Sequence, residues 1–239
     1  MIRIFIGFDA KETVAYHVLS HSILARASVP VSITPLNRAN MESFYTRPRG
    51  EYDSTDFSNS RFLVPFLCDY QGWAIFMDCD MLCLGDMAEF VGYAIDHYGT
   101  SVRCVQHNYT PKEDTKFLGA VQTRYKMKNW SSVMLFNNKM CQRLTLDYVN
   151  TTAGLDLHQF KWTEEHRVRE LPSGWNHLVG EDNQTSNPKL IHFTKGTPCF
   201  QGYSEQPYAD LWWKEWGEMT SCASPAKHDQ VNQGAPSHA

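Results

Sequence analysis

The chain has 239 residues, of which 42% are hydrophobic and 20% charged, with a formal net charge of −4. That length supports one sizeable core, and the acidic balance excludes a general attraction for nucleic acid or anionic lipid, so any functional positive charge must be local. No apolar run approaches the ~18 residues of a membrane span, and the opening MIRIFIGFD is too short for an export signal, so the expectation is a cytoplasmic protein without stable membrane insertion.

Seven cysteines at 68, 79, 83, 104, 141, 199 and 222 form no CxxC pair. They read as reduced thiols rather than a zinc site or a disulfide framework.

Residues 2–8 are rich in branched and aromatic side chains, as a buried first strand is, and Asp9 stands at its carboxyl end. Glu12 to Ala27 follows with Val14, Val18, Leu19, Ile23 and Leu24 at helical spacing. Val29 to Leu36 reads as a second strand, and this β-α-β opening predicts a parallel sheet flanked by helices. Asn37 to Asn59 is a long polar loop of functional character, and Arg61 to Tyr70 a short amphipathic helix. The apolar run Trp73–Met77 fits a fully buried central strand and ends abruptly in Asp78-Cys79-Asp80. Further strands are expected at Val102–Gln106, Val133–Phe136 and Leu190–Phe193. An aromatic helix is expected over Tyr208–Met219, with Trp212, Trp213 and Trp216 in the core. The domain is read as residues 1–220, with a flexible tail over 221–239.

The chemistry concentrates where the buried strand delivers its acids. Ligands of an open α/β sheet sit beyond the carboxyl ends of its strands. Two adjacent carboxylates repel unless a cation lies between them, and Mg²⁺ or Mn²⁺ accepts carboxylate and phosphate oxygens together. Alone, the Asp-x-Asp triplet is a weak signal. His192 lies in a late apolar strand and is followed by Lys195 and Gly196, a point charge and a close backbone approach suited to a diphosphate. With Asp78 and Asp80 it makes a three-ligand set.

Several segments in order resemble the retaining family 8 glycosyltransferases, the glycogenin-like and lipopolysaccharide-galactosyltransferase-like enzymes of GT-A fold. These are Ile6-Gly7-Phe8-Asp9, Ser60-Arg61-Phe62, Ile75-Phe76-Met77-Asp78-Cys79-Asp80, Asn129 to Asn137 and Ile191-His192-Phe193. The resemblance implies an α/β GT-A domain with a mixed, mainly parallel sheet. It implies transfer of a hexose from a UDP-sugar, UDP-glucose or UDP-galactose in type, to a glycan or lipopolysaccharide-type acceptor, with retention. Asp78, Asp80 and His192 would hold Mn²⁺ or Mg²⁺. Phe8, Asp9, Tyr16, Arg61, Asp78, Lys195 and Gly196 would contact the donor. Asp156 and Gln159 stand nearest by order to the family's catalytic acid-amide motif, and Trp175, Asn176 and His177 are acceptor candidates.

The chain departs from the family pattern at several places, among them Cys199 or Phe200 where a Trp is usual and the lack of a clean Asp-Gln-Asp counterpart. Ser132 stands where a glycine is usual, and Lys195 precedes Gly196 instead of following it. Two other readings share parts of the pattern. A haloacid-dehalogenase-like phosphatase also ends an apolar strand in Asp-x-Asp, though Leu82 stands where it wants Thr or Val. A nucleotide-sugar-binding module without turnover would need no complete metal site.

Overall fold

The computed structural model describes residues 1–50, 53–96, 99–108, 126–181 and 185–221. Strand β1 (Ile2–Phe8) is followed by a single 3-10 turn (Ala10–Glu12) and helix α1 (Thr13–Arg26). Strand β2 (Val31–Asn37) then returns parallel to β1 in unbroken register from Ile2–Val31 to Phe8–Asn37. β3 (Trp73–Met77) pairs with β1 on its other side, also parallel.

Six strands order as β2-β1-β3-β6-β5-β7, where β5 is Val102–Cys104, β6 Val133–Asn137 and β7 Val168–Glu170. β6 is antiparallel to both β3 and β5, and β5 is parallel to β7. The sheet is therefore mixed and mainly parallel, with β6 alone reversed. β3 occupies the middle, where both faces are covered, and its residues Ala74 to Met77 are 2% exposed or less. An uninterrupted apolar run is what such a position selects.

A second sheet of three short strands orders β4-β9-β8. β4 (Met81–Cys83) begins directly after Asp80, and β9 (Leu190–His192) lies antiparallel to it with Met81 opposite His192. β8 (His177–Leu178) runs parallel to β9. The late strand expected at Leu190–Phe193 thus exists, but in this small sheet. Its pairing brings His192 to the acids despite more than a hundred intervening residues.

Helix α1 differs from its expected face. Val14 and Leu24 are 41% and 58% exposed, whereas Ala15, Tyr16, Val18, Leu19, Ser22 and Ile23 are buried. α1 packs against β4 and against the last helix α6 (Ala209–Thr220) as well as β1. Close packing against several neighbours selects small and polar residues in place of a simple apolar stripe. Ser22 shows how: its hydroxyl donates to the Leu19 carbonyl at 2.8 Å and accepts from the Cys83 amide at 3.1 Å.

The helix expected over Arg61–Tyr70 is a 3-10 segment (Ser60–Leu63) running into the one-turn helix α2 (Val64–Leu67). Pro65 occupies a first-turn position, where its missing N–H costs nothing. Asp69 and Tyr70 then adopt left-handed backbone, which ends the element early.

α6 sets one Trp inside and two out. Trp212 is fully buried, while Trp213 and Trp216 are each 39% exposed, which corrects the reading of all three as core. On the inner side, Glu215 is 2% exposed and accepts from His21 of α1 at 2.6 Å and Arg26 at 2.8 Å.

The polar loop after β2 folds back over the carboxyl edge of the sheet. Tyr45 and Phe57 are buried, and the Phe57 ring lies so close to Gly7 that an added Cβ there would meet it at 2.3 Å. Only glycine fits that position of β1. The six described cysteines are free thiols, five of them buried. Among the described residues no helix is long and apolar enough to cross a membrane. The expected tail, from residue 222 onward, lies outside the described residues.

Candidate metal centre

Asp78 extends β3 by one step, its amide donating to the Ser132 carbonyl at 2.9 Å. Two residues on, the Asp80 carbonyl accepts from the Phe193 amide at 2.9 Å, so the main chain joins the carboxyl end of β3 to the end of β9. The ligating atoms of Asp78, Asp80 and His192 consequently all lie within 4.8 Å of one another. His192 Nε2 is 3.2 Å from Asp80 Oδ1. Two carboxylates and an imidazole fit a divalent ion such as Mn²⁺ or Mg²⁺, and three protein ligands leave octahedral positions for phosphate oxygens and water. The residues present therefore fit the metal that the sequence led us to expect.

Arg61 serves this centre from inside the protein. It is 6% exposed, and its Nη1 lies 2.8 Å from Asp78 Oδ1. The same guanidinium donates from Nε to the Ser58 carbonyl at 2.9 Å and from Nη1 to the Ser131 carbonyl at 3.0 Å. Its carbon sits 4.9 Å from the Phe76 ring centroid and 5.5 Å from that of Phe57. The 3-10 segment before α2 thus supplies a cation that holds the first acid in place.

Glu12 was not among the expected site residues, because an acid in the first turn of a helix ordinarily needs no further explanation. Here it is 3% exposed, and Oε2 accepts from the Cys79 thiol at 3.0 Å while Oε1 has no hydrogen-bond partner among the described residues. Burial first and the charge of Asp80 second push its carboxyl up to about 8. The folded chain therefore keeps this proton up to about pH 8, whereas the unfolded chain releases it near 4.5. The associated stability is fully present below pH 4.5 and is lost as pH rises through 8. Glu12→Gln should flatten that dependence. In metal-free buffer the variant should match the parent near pH 4.5 and exceed it by about 1–3 kcal/mol at pH 8.5, measured by urea denaturation. Identical pH profiles for the two would show that Glu12 ionises freely.

The donor-side candidates divide. Asp9 is buried and its two oxygens accept from the amides of Lys11 at 2.9 Å and Asp56 at 3.1 Å. Phe8 and Tyr16 pack edge to face, with centroids 5.4 Å apart. Gly196 has φ 143°, a conformation side chains disfavour, and Lys195 beside it is half-buried. Residues Phe193 to Gly196 follow β9 directly, and a Phe193 carbonyl to Gly196 amide bond of 2.9 Å closes the turn.

The acceptor candidates are placed otherwise. Trp175, Asn176 and His177 are 1%, 0% and 2% exposed, so none presents a side chain to an incoming glycan, and the acceptor expectation is corrected. Trp175 packs edge to face on Phe90, at 5.0 Å, and His177 on Tyr208, at 5.2 Å. Asn176 hydrogen-bonds His192 Nδ1 at 2.9 Å. A Trp in a glycine-flanked loop looks exposed in sequence, and only the fold covers it.

Helix α5 (Gly154–His158) carries the catalytic candidates. Asp156 turns to Lys161, with which it pairs at 2.6 Å, and Gln159 is half-buried at the helix end. The residue of this segment that reaches the Arg61 layer is His158, whose Nδ1 lies 2.7 Å from Ser131 Oγ. Desolvation, and then Arg61, hold its imidazole well below the ordinary range, so it is neutral. His107 is likewise held neutral, at about 3, by burial and by its neighbours His192 and His177.

Protein CDI of Arabidopsis thaliana is 46% identical over 225 residues, which cover 90% of this chain and 86% of that protein. The chain belongs to the Protein CDI family. No family model matches the sequence. Among solved structures, the galactosyltransferase LgtC superposes with a TM-score of 0.61 at 11% identity, over 92% of this chain and 97% of that one. The glycosyltransferase GlyE of Streptococcus pneumoniae TIGR4 gives 0.57 at 12% identity, over 91% and 62%. The bifunctional glycosyltransferase WbbM gives 0.56 at 15%, over 90% of this chain, which spans about half of WbbM. The fold of the CDI-family chain is therefore the GT-A glycosyltransferase fold that its motifs led us to expect. That scaffold removes the basis for the haloacid-dehalogenase reading of Asp78.

Proposed function

We propose that this CDI-family protein is a metal-dependent glycosyltransferase that moves a hexose from a UDP-sugar to a glycan or other acceptor with retention of configuration. The observation that carries the reading is the convergence of Asp78, Asp80 and His192 at the carboxyl end of the central strand of a GT-A fold. A chain that had kept the fold only as a binding module would be under no pressure to keep a complete ligand set.

Asp78, Asp80 and His192 would hold Mn²⁺ or Mg²⁺, which supplies neutralising charge for the diphosphate leaving group. Arg61 pairs with Asp78 and holds its carboxylate in place. The Phe193–Gly196 turn directly after β9 would bring the Lys195 ammonium to phosphate oxygens. Asp156 and Gln159 remain the proposed groups nearest the sugar.

The test is calorimetric titration of UDP into the purified protein with and without Mn²⁺. Binding that requires Mn²⁺ is expected, followed by slow hydrolysis of UDP-glucose or UDP-galactose when each is supplied without acceptor. Absence of UDP binding in both conditions would overturn the reading.

A further inference from the structure

Asn176 has an environment that determines which way its amide points. Its Nδ2 lies 3.2 Å from the Asn129 carbonyl and 2.9 Å from Ser132 Oγ. The carbonyl can only accept. Ser132 Oγ itself donates its one proton to that same carbonyl at 2.7 Å, so toward Asn176 it too must accept. Both neighbours require a donor, and the NH₂ group therefore faces them. Turning the amide over would set oxygen against oxygen on that side.

The carbonyl oxygen of Asn176 is then the atom 2.9 Å from His192 Nδ1, and His192 must donate from Nδ1. With the proton held there, Nε2 is the ring nitrogen turned toward Asp80 Oδ1, 3.2 Å away, and the atom left to face a cation. Asn176 and His192 are 0% and 2% exposed, so water does not compete for these bonds. The supporting carbonyl is set by local backbone: Asn129 adopts left-handed φ 61° and ψ 9°, which asparagine tolerates better than most residues. Ser132, which departs from the glycine usual in the resembling family, thereby has a physical role.

We propose that Asn176, held by the Asn129 carbonyl and the Ser132 hydroxyl, is a positioning residue that locks His192 in the Nδ1–H tautomer and aims Nε2 at the metal. The proposal rests on the metal reading of Asp78, Asp80 and His192, but its first test does not require metal.

In ¹⁵N-labelled, metal-free protein, long-range ¹H–¹⁵N correlations should show a proton on His192 Nδ1. Asn176→Ala should release it toward the Nε2–H form that free imidazoles favour. The Mn²⁺ dissociation constant, read from free Mn²⁺ by electron paramagnetic resonance, should rise about 10–100-fold in Asn176→Ala. Ser132→Ala, which deletes a single hydroxyl and spares the packing, should raise it less, in the same direction. Melting curves in EDTA separate these effects from loss of fold. An unprotonated His192 Nδ1 in the parent protein, or Mn²⁺ affinities of both variants within twofold of the parent, would overturn the proposal. A parent that binds no Mn²⁺ at all would overturn the metal reading and the metal-aiming role together, while the tautomer spectrum still reports whether Asn176 orients His192.

Discussion

Asp80→Ala should abolish Mn²⁺ binding and lower UDP-sugar turnover by about 10³-fold or more, because a metal's charge stabilisation is worth several kcal/mol and each 1.4 kcal/mol is tenfold in rate. The loss should be chemical rather than structural. The main-chain carbonyl of Asp80 still accepts from Phe193, so the join between β3 and β9 survives. The Asp80 side chain is 14% exposed and contributes no apolar packing. His192 loses its carboxylate neighbour but keeps Asn176. Circular dichroism and melting in EDTA should therefore match the parent while Mn²⁺-dependent UDP binding disappears. Unchanged turnover in this variant would remove Asp80 from the metal set.

Arg61→Met should instead act on stability first. The guanidinium makes three polar contacts and lies against two aromatic rings in a site almost closed to water. Methionine can fill the volume but leaves the Asp78 carboxylate and two carbonyls without their cation. Removing one partner of a buried pair costs about 3–5 kcal/mol. Arg61→Lys should recover little, because an ammonium cannot reach in three directions from a planar fork. A second consequence follows from charge: Mn²⁺ at Asp78 replaces part of what Arg61 supplied. The ion should therefore raise the melting temperature of Arg61→Met more than that of the parent. Equal Mn²⁺ increments for both proteins would indicate that Asp78 and the metal do not share a site.

Some of this was open to reading in the sequence because it depends on local order. A β-branched and aromatic run, a helical repeat and a second run specify β1, α1 and β2 wherever the rest of the chain goes. The apolar run Trp73–Met77 closed by two acids specifies a buried strand whose end carries charge, since only a strand covered on both faces tolerates five apolar residues in succession. The GT-A fold was legible from the order of five such segments taken together.

What the tertiary structure decided were relations between segments far apart in the chain. His192 meets Asp80 because β9 pairs with β4, and three-residue strands leave almost no periodic signal of their own. Trp175, Asn176 and His177 are polar and aromatic residues near a glycine, a composition that suits a ligand-facing loop as well as a buried support. Packing by Phe90, Tyr208 and the Asn129–Ser132 turn settles it as support. The buried face of α1 was misjudged because several elements press on it at once, and Glu12 looked ordinary because its burial depends on Cys79 and Asp80. Sequence by itself determined the strand that presents the acids, since that depends on neighbours along the chain. The folded chain carried His192, already singled out by its motif, onto the acids and decided which amide aims it, since both depend on neighbours in space.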